Sequence, residues 1–297
     1  MNLIYKKKSI PERIFGIVIV AIMLFICFIT LYPVWNIIVT SLNNGKDAML
    51  GPIYWWPREF TIDNYRAVFS HNQILTSFKV TIFRTLIATT LNVFFTAMVA
   101  YALSKKQLRG RSIYMSIGLF SMFFGGGLIP YFLLLTKLGF IDKFIVYVIP
   151  TMFNFYNLLI FQAFFREIPG EMEEAAKIDG ANDFKIFIKL ILPLSKPVVA
   201  TIVLFVGVYN WNDYFMGTMF VNRDELLPIQ TYLFRIISQS SGNTLRLNIP
   251  AEISAARITS QSIKLATMVI TTLPIVVLYP FLQKYFVKGM MLGGVKG

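Results

Sequence analysis

Six long apolar runs decide what this chain can fold into. They cover residues 14–39, 78–103, 113–136, 144–165, 198–220 and 265–287. A helix crossing a bilayer needs about 20 mostly apolar residues, and each run reaches that length. None shows the ~10-residue alternation of an outer-membrane barrel strand. The expected fold is therefore all-α and integral to a membrane: one domain over 1–297 with six transmembrane helices. The rest of the composition agrees. Only 14% of the 297 residues are charged, against roughly 25% in a soluble domain, too few to build a water-facing surface. The first run is longer than the apolar stretch of a signal peptide and has no clear small-x-small cleavage site, so it reads as a retained span. Cys27 is the single cysteine, which excludes a disulfide-built secreted domain.

Charge sets the orientation. Lys6, Lys7, Lys8 and Arg13 precede the first run. Lys105, Lys106, Arg109 and Arg111 fill the short second connection, and Lys284, Lys288 and Lys296 lie in the tail. Six spans put both termini and that connection on one side, and the positive-inside rule makes it cytoplasmic. The expected arrangement is multi-pass in a cytoplasmic membrane, with N- and C-termini cytoplasmic. The two long opposite-side loops, 42–77 and 221–264, are mixed in charge. In the first, Lys46, Arg58 and Arg66 balance Asp47, Glu59 and Asp63. The net charge of +13 is thus a topology signal in good part. No basic module interleaved with aromatics is present, so nucleic acid is not expected as a partner. No internal repeat is visible.

The connection 166–197 is the most informative segment. Pro169 and the acids Glu171, Glu173 and Glu174 mark a helix start, and Gly180 suits its left-handed close. Asn182 or Asp183 caps a second helix. Phe184, Phe187, Ile188 and Ile191 form its apolar stripe at i, i+3, i+4 and i+7, and Pro193 is expected to terminate it. Ser195 and Pro197 then cap and open the fifth span. Physics alone leaves two readings, a loop folded on its own bundle or a docking knob for a cytoplasmic partner.

This segment resembles the EAA loop of ABC-importer permeases: Glu-Ala-Ala, three residues, Gly, nine residues, Ile, one residue, Leu-Pro. Here stand Glu174, Ala175, Ala176, Gly180, Leu190, Leu192 and Pro193. Leu190 replaces the usual Ile, a swap of similar volume. The extended string Glu174–Ala181, which includes Asp179, is typical of the carbohydrate branch. Phe123-Phe-Gly-Gly-Gly-Leu-Ile-Pro130, Leu192-Pro-Leu-Ser-Lys-Pro197, Tyr209-Asn-Trp-Asn212 and the tail over 279–289 look like LplC-type oligo- and polysaccharide permeases, relatives of the maltose permease.

The resemblance implies a type I importer permease (MetI-like) fold and a working assembly. Its expected partners are a second, different permease subunit, two ATPase subunits, an extracytoplasmic solute-binding protein, an oligosaccharide and the lipid bilayer. Glu174, Ala175, Ala176, Asp179, Gly180, Leu190, Leu192 and Pro193 would couple to the ATPase. No Gly-x4-Gly-Lys-Ser/Thr string is present. The chain is then not an enzyme and binds no cofactor, with ATP and magnesium held by the ATPase subunits. The rival is a secondary active sugar transporter, which would show repeats and deep coupling-ion carboxylates, and only Asp213 qualifies. A membrane glycosyltransferase would need a carboxylate pair or metal cluster, and the acids of 171–179 are better explained as the docking helix.

Polar residues inside spans are the candidates for a substrate path. Tyr209, Asn210, Trp211, Asn212, Asp213 and Tyr214 in the fifth run combine aromatic faces with amides and a carboxylate, groups that suit sugar C–H faces and hydroxyls. Asn154, Tyr156 and Asn157 in the fourth run are a second set. The plainer alternative for both is interhelical hydrogen bonding. Arg84 either pairs with Asp213 or faces an acidic sugar, and Lys79 either snorkels or does the same. Gly125, Gly126, Gly127 and Pro130 mark a kink or a tight crossing in the third run. His71 has no cysteine or histidine partner, so no metal site is expected. Trp55 and Trp56 read as interface anchors.

Overall fold

A computed structural model describes residues 10–70, 72–240 and 258–294. Lys6, Lys7, Lys8, His71 and Lys296 lie outside them. The described residues are mostly helical, and their only β pairing is an isolated bridge between Asn43 and Phe60. The chain divides into two compact units, Met1–Ser70 with Gln239–Ile270 and His71–Ser238 with Thr271–Gly297.

In the first unit, α1 (Ile10–Ser41) has Pro33 inside it and buries only Val39 and Ser41. Large apolar side chains stand exposed all along it, from Ile10 to Trp35. A helix apolar on every face suits hydrocarbon as its solvent. Beyond it, α2 (Gly45–Met49) and α3 (Asp63–Ser70) are tied into a cap by asparagines that stand in for backbone partners. Asn64 Nδ2 donates to the carbonyls of Ser41 and Asn43, both at 2.8 Å, and Asn43 Oδ1 accepts from Glu59 N at 2.9 Å. Four of the six balanced loop charges meet as pairs, Arg58 with Asp47 at 3.0 Å and Arg66 with Asp63 at 3.2 Å. Hydrogen bonds from Asn43 and Arg58 and the Arg58 charge hold the Asp47 carboxyl below its usual range. Trp55 lies edge-on to Tyr32 at 5.3 Å and accepts the Trp35 indole N–H on its carbonyl at 3.0 Å.

The second unit is built on α4 (Asn72–Ser104), which packs against α7 (Phe155–Phe165) and α11 (Lys196–Asn212). One apolar cluster joins Tyr101, Leu103, Phe161, Phe165, Phe187, Ile191 and Ile202. Another joins Val80, Leu135, Tyr147, Met216 and Phe220. Between α4 and α7 run α5 (Arg111–Phe123) and α6 (Leu128–Lys137), bent by 114° at the glycine string. The string is a kink, and among the described residues no other helix of this chain crosses closely at it. Gly127 has φ +83°, and a Cβ built on Gly125 or Gly127 would touch nothing within 4 Å. The close approach is made earlier, where a Cβ on Gly118 would sit 1.9 Å from the Phe155 ring.

By length and composition, three helices among the described residues suffice to cross a membrane, α1, α4 and the first part of α14 (Ser260–Gly294), and up to five spans result if each bent pair counts as one. The fourth apolar run is not one helix. It holds a single 3₁₀ turn, Phe144–Tyr147, then irregular chain to Asn154, then the 11 residues of α7. The fifth run is α11, a break at Asp213–Tyr214 and α12 (Phe215–Phe220). A 3₁₀ turn, Asp224–Leu226, and α13 (Ile229–Ser240) follow.

Candidate functional site

The connection after α7 folds as a helical hairpin. α8 (Gly170–Ile178) ends in a Schellman motif. Gly180, at φ +76°, donates to Lys177 O at 3.0 Å, and Ala181 N reaches back to Ala176 O at 3.0 Å. Only glycine adopts that backbone without strain. Asn182 then caps α9 (Asp183–Ile186), its Oδ1 accepting from Lys185 N at 2.8 Å. Lys177 and Asp183 pair across the bend at 3.2 Å.

Three local expectations fail, the first two for one reason. Pro193 does not end the second helix, which continues through α10 (Leu192–Leu194). The residues before it, Phe187–Ile191, widen into a π-helical turn in which Leu192 N donates to Phe187 O, five residues back. Widening relieves the clash that a helical proline makes with the preceding turn. It also rotates the face. Ile186, Phe187 and Ile191 are buried while Phe184 is 60% exposed. The right-angled turn of 84° into α11 falls at Ser195, whose hydroxyl is buried without a partner and caps nothing.

The hairpin turns one side outward. Glu174, Ala175, Asp179, Gly180 and Pro193 are exposed, and so are the apolar Ile178 and Phe184. Leu190 and Leu192 are half-buried against the bundle. Glu173 faces the bundle. Its carboxylate pairs with Lys105, just past the end of α4, and accepts from the Tyr101 hydroxyl at 3.4 Å. The Lys105 ammonium lies 4.0 Å from the Tyr101 ring centroid. Tyr101 in turn stacks on Phe187 at 5.5 Å and meets Phe165 edge-on at 6.4 Å.

Midway along the unit, both sets of candidate path residues meet. A recess of about 350 Å³ is lined by Asn154, Tyr156 and Asn157 at the start of α7, and by Tyr209 and Asn210 near the end of α11. Asn92 of α4 completes it. Asn92 and Asn210 are buried, and each carries an amide oxygen with no partner. Their NH₂ groups are already engaged, Asn92 across to Thr151 O at 2.6 Å and Asn210 on Val206 O of its own helix at 2.9 Å. Asn154 has a structural duty as well, capping α7 through Asn157 N at 3.0 Å. No lining residue is charged. Carbonyl oxygens, tyrosines and apolar faces at one place are the groups that hold hydroxyls and C–H surfaces.

The remaining residues of the fifth run do other work. Arg84 is fully buried and paired with Asp213 across 129 residues of sequence, and it also donates to Asp213 O at 3.1 Å. Its guanidinium lies 4.6 Å from the Tyr147 ring centroid. The other Asp213 oxygen caps α12, accepting from Phe215 N at 3.0 Å. Trp211 donates to Thr271 O at 3.2 Å, Tyr214 stacks on Phe234 at 4.7 Å, and Asn212 is exposed. Lys79 is exposed, as a snorkelling lysine would be. Among the described residues no cluster of three or more His, Cys, Asp or Glu is placed to hold a metal.

Asn92 escaped the reading of the sequence. Its signal is a four-residue polar period on α4: Ser77, Thr81, Thr85, Thr89, then Asn92 and Thr96. A polar stripe along an apolar helix marks the side that faces protein.

Charge-poor helices, a polar recess between them and an outward-turned hairpin define a helical membrane transport component. The chain belongs to the family of binding-protein-dependent transport system inner membrane components, which it matches over residues 3–292. It is 39% identical to Protein LplC of Bacillus subtilis (strain 168) over 274 residues, 91% of this chain and 90% of that protein. It is 38% identical to the polygalacturonan/rhamnogalacturonan transport system permease protein YtcP of the same organism over 286 residues, 96% and 99% of the two chains. Among solved structures it resembles a chain of a bacterial ABC transporter involved in the import of the acidic polysaccharide alginate. The TM-score is 0.89 at 31% identity, covering 95% of this chain and 99% of that one. The protein is thus a permease of an ABC importer with the MetI-like fold, and its family works with a solute-binding protein.

Proposed function

We propose that the chain is one of two permease halves that carry an oligosaccharide into the cytoplasm, with Asn92, Asn154, Asn157, Tyr209 and Asn210 lining this half's part of the path. The observation that carries this reading is the recess, where amide oxygens without partners and tyrosines from three helices converge. Relatives named for polysaccharide-derived cargo support the substrate class. Six crossings, with both termini and the hairpin cytoplasmic, follow from the charge pattern. The second half is a related but different chain, and the pair forms a heterodimer. Two ATPase subunits bind ATP and magnesium, and this chain binds neither. Each ATPase seats one hairpin along the face carrying Glu174, Ala175, Asp179 and Ile178, with Ala176 and Gly180 setting its shape and Leu190, Leu192 and Pro193 anchoring it. Closure of the ATPase pair then rotates the helices as rigid bodies.

The acidic-sugar role of Arg84 is not part of this proposal. Its charge is already neutralised by Asp213, so an acidic sugar would have to displace a carboxylate already seated there. The same pair spends the one deep carboxylate that a secondary transporter would use for its coupling ion.

The test is uptake of labelled oligosaccharides, neutral and uronic-acid-containing, by the complete importer in proteoliposomes. Replacing Asn92 or Asn210 by Ala should cut uptake while the ATPases remain bound. Full uptake by both variants would sink the assignment of the recess. Failure of the unaltered chain to retain any ATPase would sink the importer reading.

A further inference from the structure

We propose that Lys105 and Glu173 are positioning residues for energy coupling: they clasp the hairpin to α4, so that hairpin motion moves the helix that carries Asn92. The inference rests on the hairpin being the ATPase docking element. It starts from how weakly the docking arm is held. α8 has no buried residue, and its partly buried Ala176 gives it one small apolar contact with the core. The other arm is anchored by Ile186, Phe187 and Ile191, all buried. Among the described residues, Glu173 is the one side chain of α8 with an ion pair or hydrogen bond to the bundle beyond the hairpin.

The clasp is shaped to transmit force and not only to hold. Lys105 and Glu173 are both largely shielded, so their attraction is less screened than that of an exposed pair. Lys105 lies over the Tyr101 ring, and Tyr101 stacks on Phe187 of the other arm. One residue pair therefore ties both arms to the last turn of α4. From Ser104, where α4 ends beside Lys105, to Asn92 is 12 residues of continuous helix, about 18 Å at 1.5 Å per residue. A continuous helix with one end clasped and its middle in the recess wall is a lever.

The charges that face Lys105 are Glu173 and Lys177 of α8 and Asp183 of α9, with Tyr101 of α4 beneath. Burial, and then Lys177, push the ammonium down to about 8, with Asp183 pulling the other way. Raising the pH through that value removes the proton and with it the pair.

The experiment uses the complete importer, with Cys27→Ser and Tyr156→Cys as the background. The reporter cysteine in the recess is labelled by a maleimide with and without ATP and magnesium. We expect ATP to change the labelling rate about tenfold. Lys105→Met and Glu173→Gln should each reduce the response below twofold while the ATPases stay bound and hydrolyse ATP. The exchange Lys105→Glu with Glu173→Lys should restore it. The unaltered clasp should lose its response as pH rises through about 8, and Lys105→Arg should keep it, because arginine stays charged. A full response in Lys105→Met, or no rescue by the exchange, overturns the clasp. Absence of bound ATPase with the unaltered chain overturns instead the reading on which it rests.

Discussion

The two halves of α4 use the same residue types to opposite ends. Toward its start, polar groups are consumed. The Thr81 hydroxyl donates to Ser77 O at 2.9 Å and accepts from Ile229 N at 2.8 Å, and Arg84 is locked to Asp213, with only its Nε lacking a partner. Toward its middle, Thr85, Thr89, Asn92 and Thr96 each keep a buried oxygen with no partner. Burying an unpaired polar atom is costly. The first set is explained by the fold alone. The second is not, and one of its members, Asn92, lines the recess. Polarity inside a span therefore marks function only after the fold's own demands have been subtracted.

The largest expected effect lies in the consumed half. Asp213→Ala strands the Arg84 charge and removes the cap of α12, and breaking one partner of a buried pair costs about 3–5 kcal/mol. Thermal unfolding in detergent should show it, and the double change Arg84→Met with Asp213→Leu should recover most of the loss. Arg84→Gln should impair uptake of neutral and acidic oligosaccharides equally. Selective loss of the acidic ones would return Arg84 to the substrate path and erase the contrast between the halves.

Thr81→Val comes next. It leaves the buried Ile229 N–H without an acceptor, which costs about 1–3 kcal/mol. The defect should appear as faster hydrogen exchange at the start of α13 before any change in uptake. Unchanged stability would mean that the consumed half is less committed than its hydrogen bonds imply.

What the sequence revealed follows the same division between near and far. The hairpin was legible because its determinants are local: Gly180 closes α8 and Asn182 caps α9 within a few residues. The kink at Gly125–Gly127 was written in composition, though not the choice between kink and crossing, since the crossing partner of Gly118 is Phe155 on another helix. Apolar run length located the spans but not their continuity. The fourth run reads as a helix of full length, yet Pro150 and the cap at Asn154 reduce it to α7. Pro193 misled because a π turn is the helix's answer to a proline and has no signature of its own. The recess needed Asn92, Asn154 and Asn210 to be brought together from three helices, and no single window of sequence holds them.

A smaller effect on stability, with a larger one on transport, is expected in the unconsumed half. Asn210→Ala removes one hydrogen bond within its own helix and one unpartnered oxygen, so stability should shift by about 1 kcal/mol or less. Uptake should fall about tenfold, the equivalent of one lost hydrogen bond to a hydroxyl. A stability loss as large as that of Thr81→Val, with uptake per folded transporter unchanged, would move Asn210 into the structural set.

Thr96→Val is the smallest and the sharpest. Thr96 is fully buried, its hydroxyl has no partner, and it does not line the recess. Replacing it with an apolar group of the same shape removes a desolvation cost without breaking a bond, so stability should rise by up to about 1 kcal/mol. Uptake should not change. Thr96 thus separates two properties that coincide at Asn92 and Asn210, lacking a partner and lining the recess. If Thr96→Val impairs transport as Asn210→Ala does, the path extends along α4 beyond the recess, toward Tyr101 and the clasp.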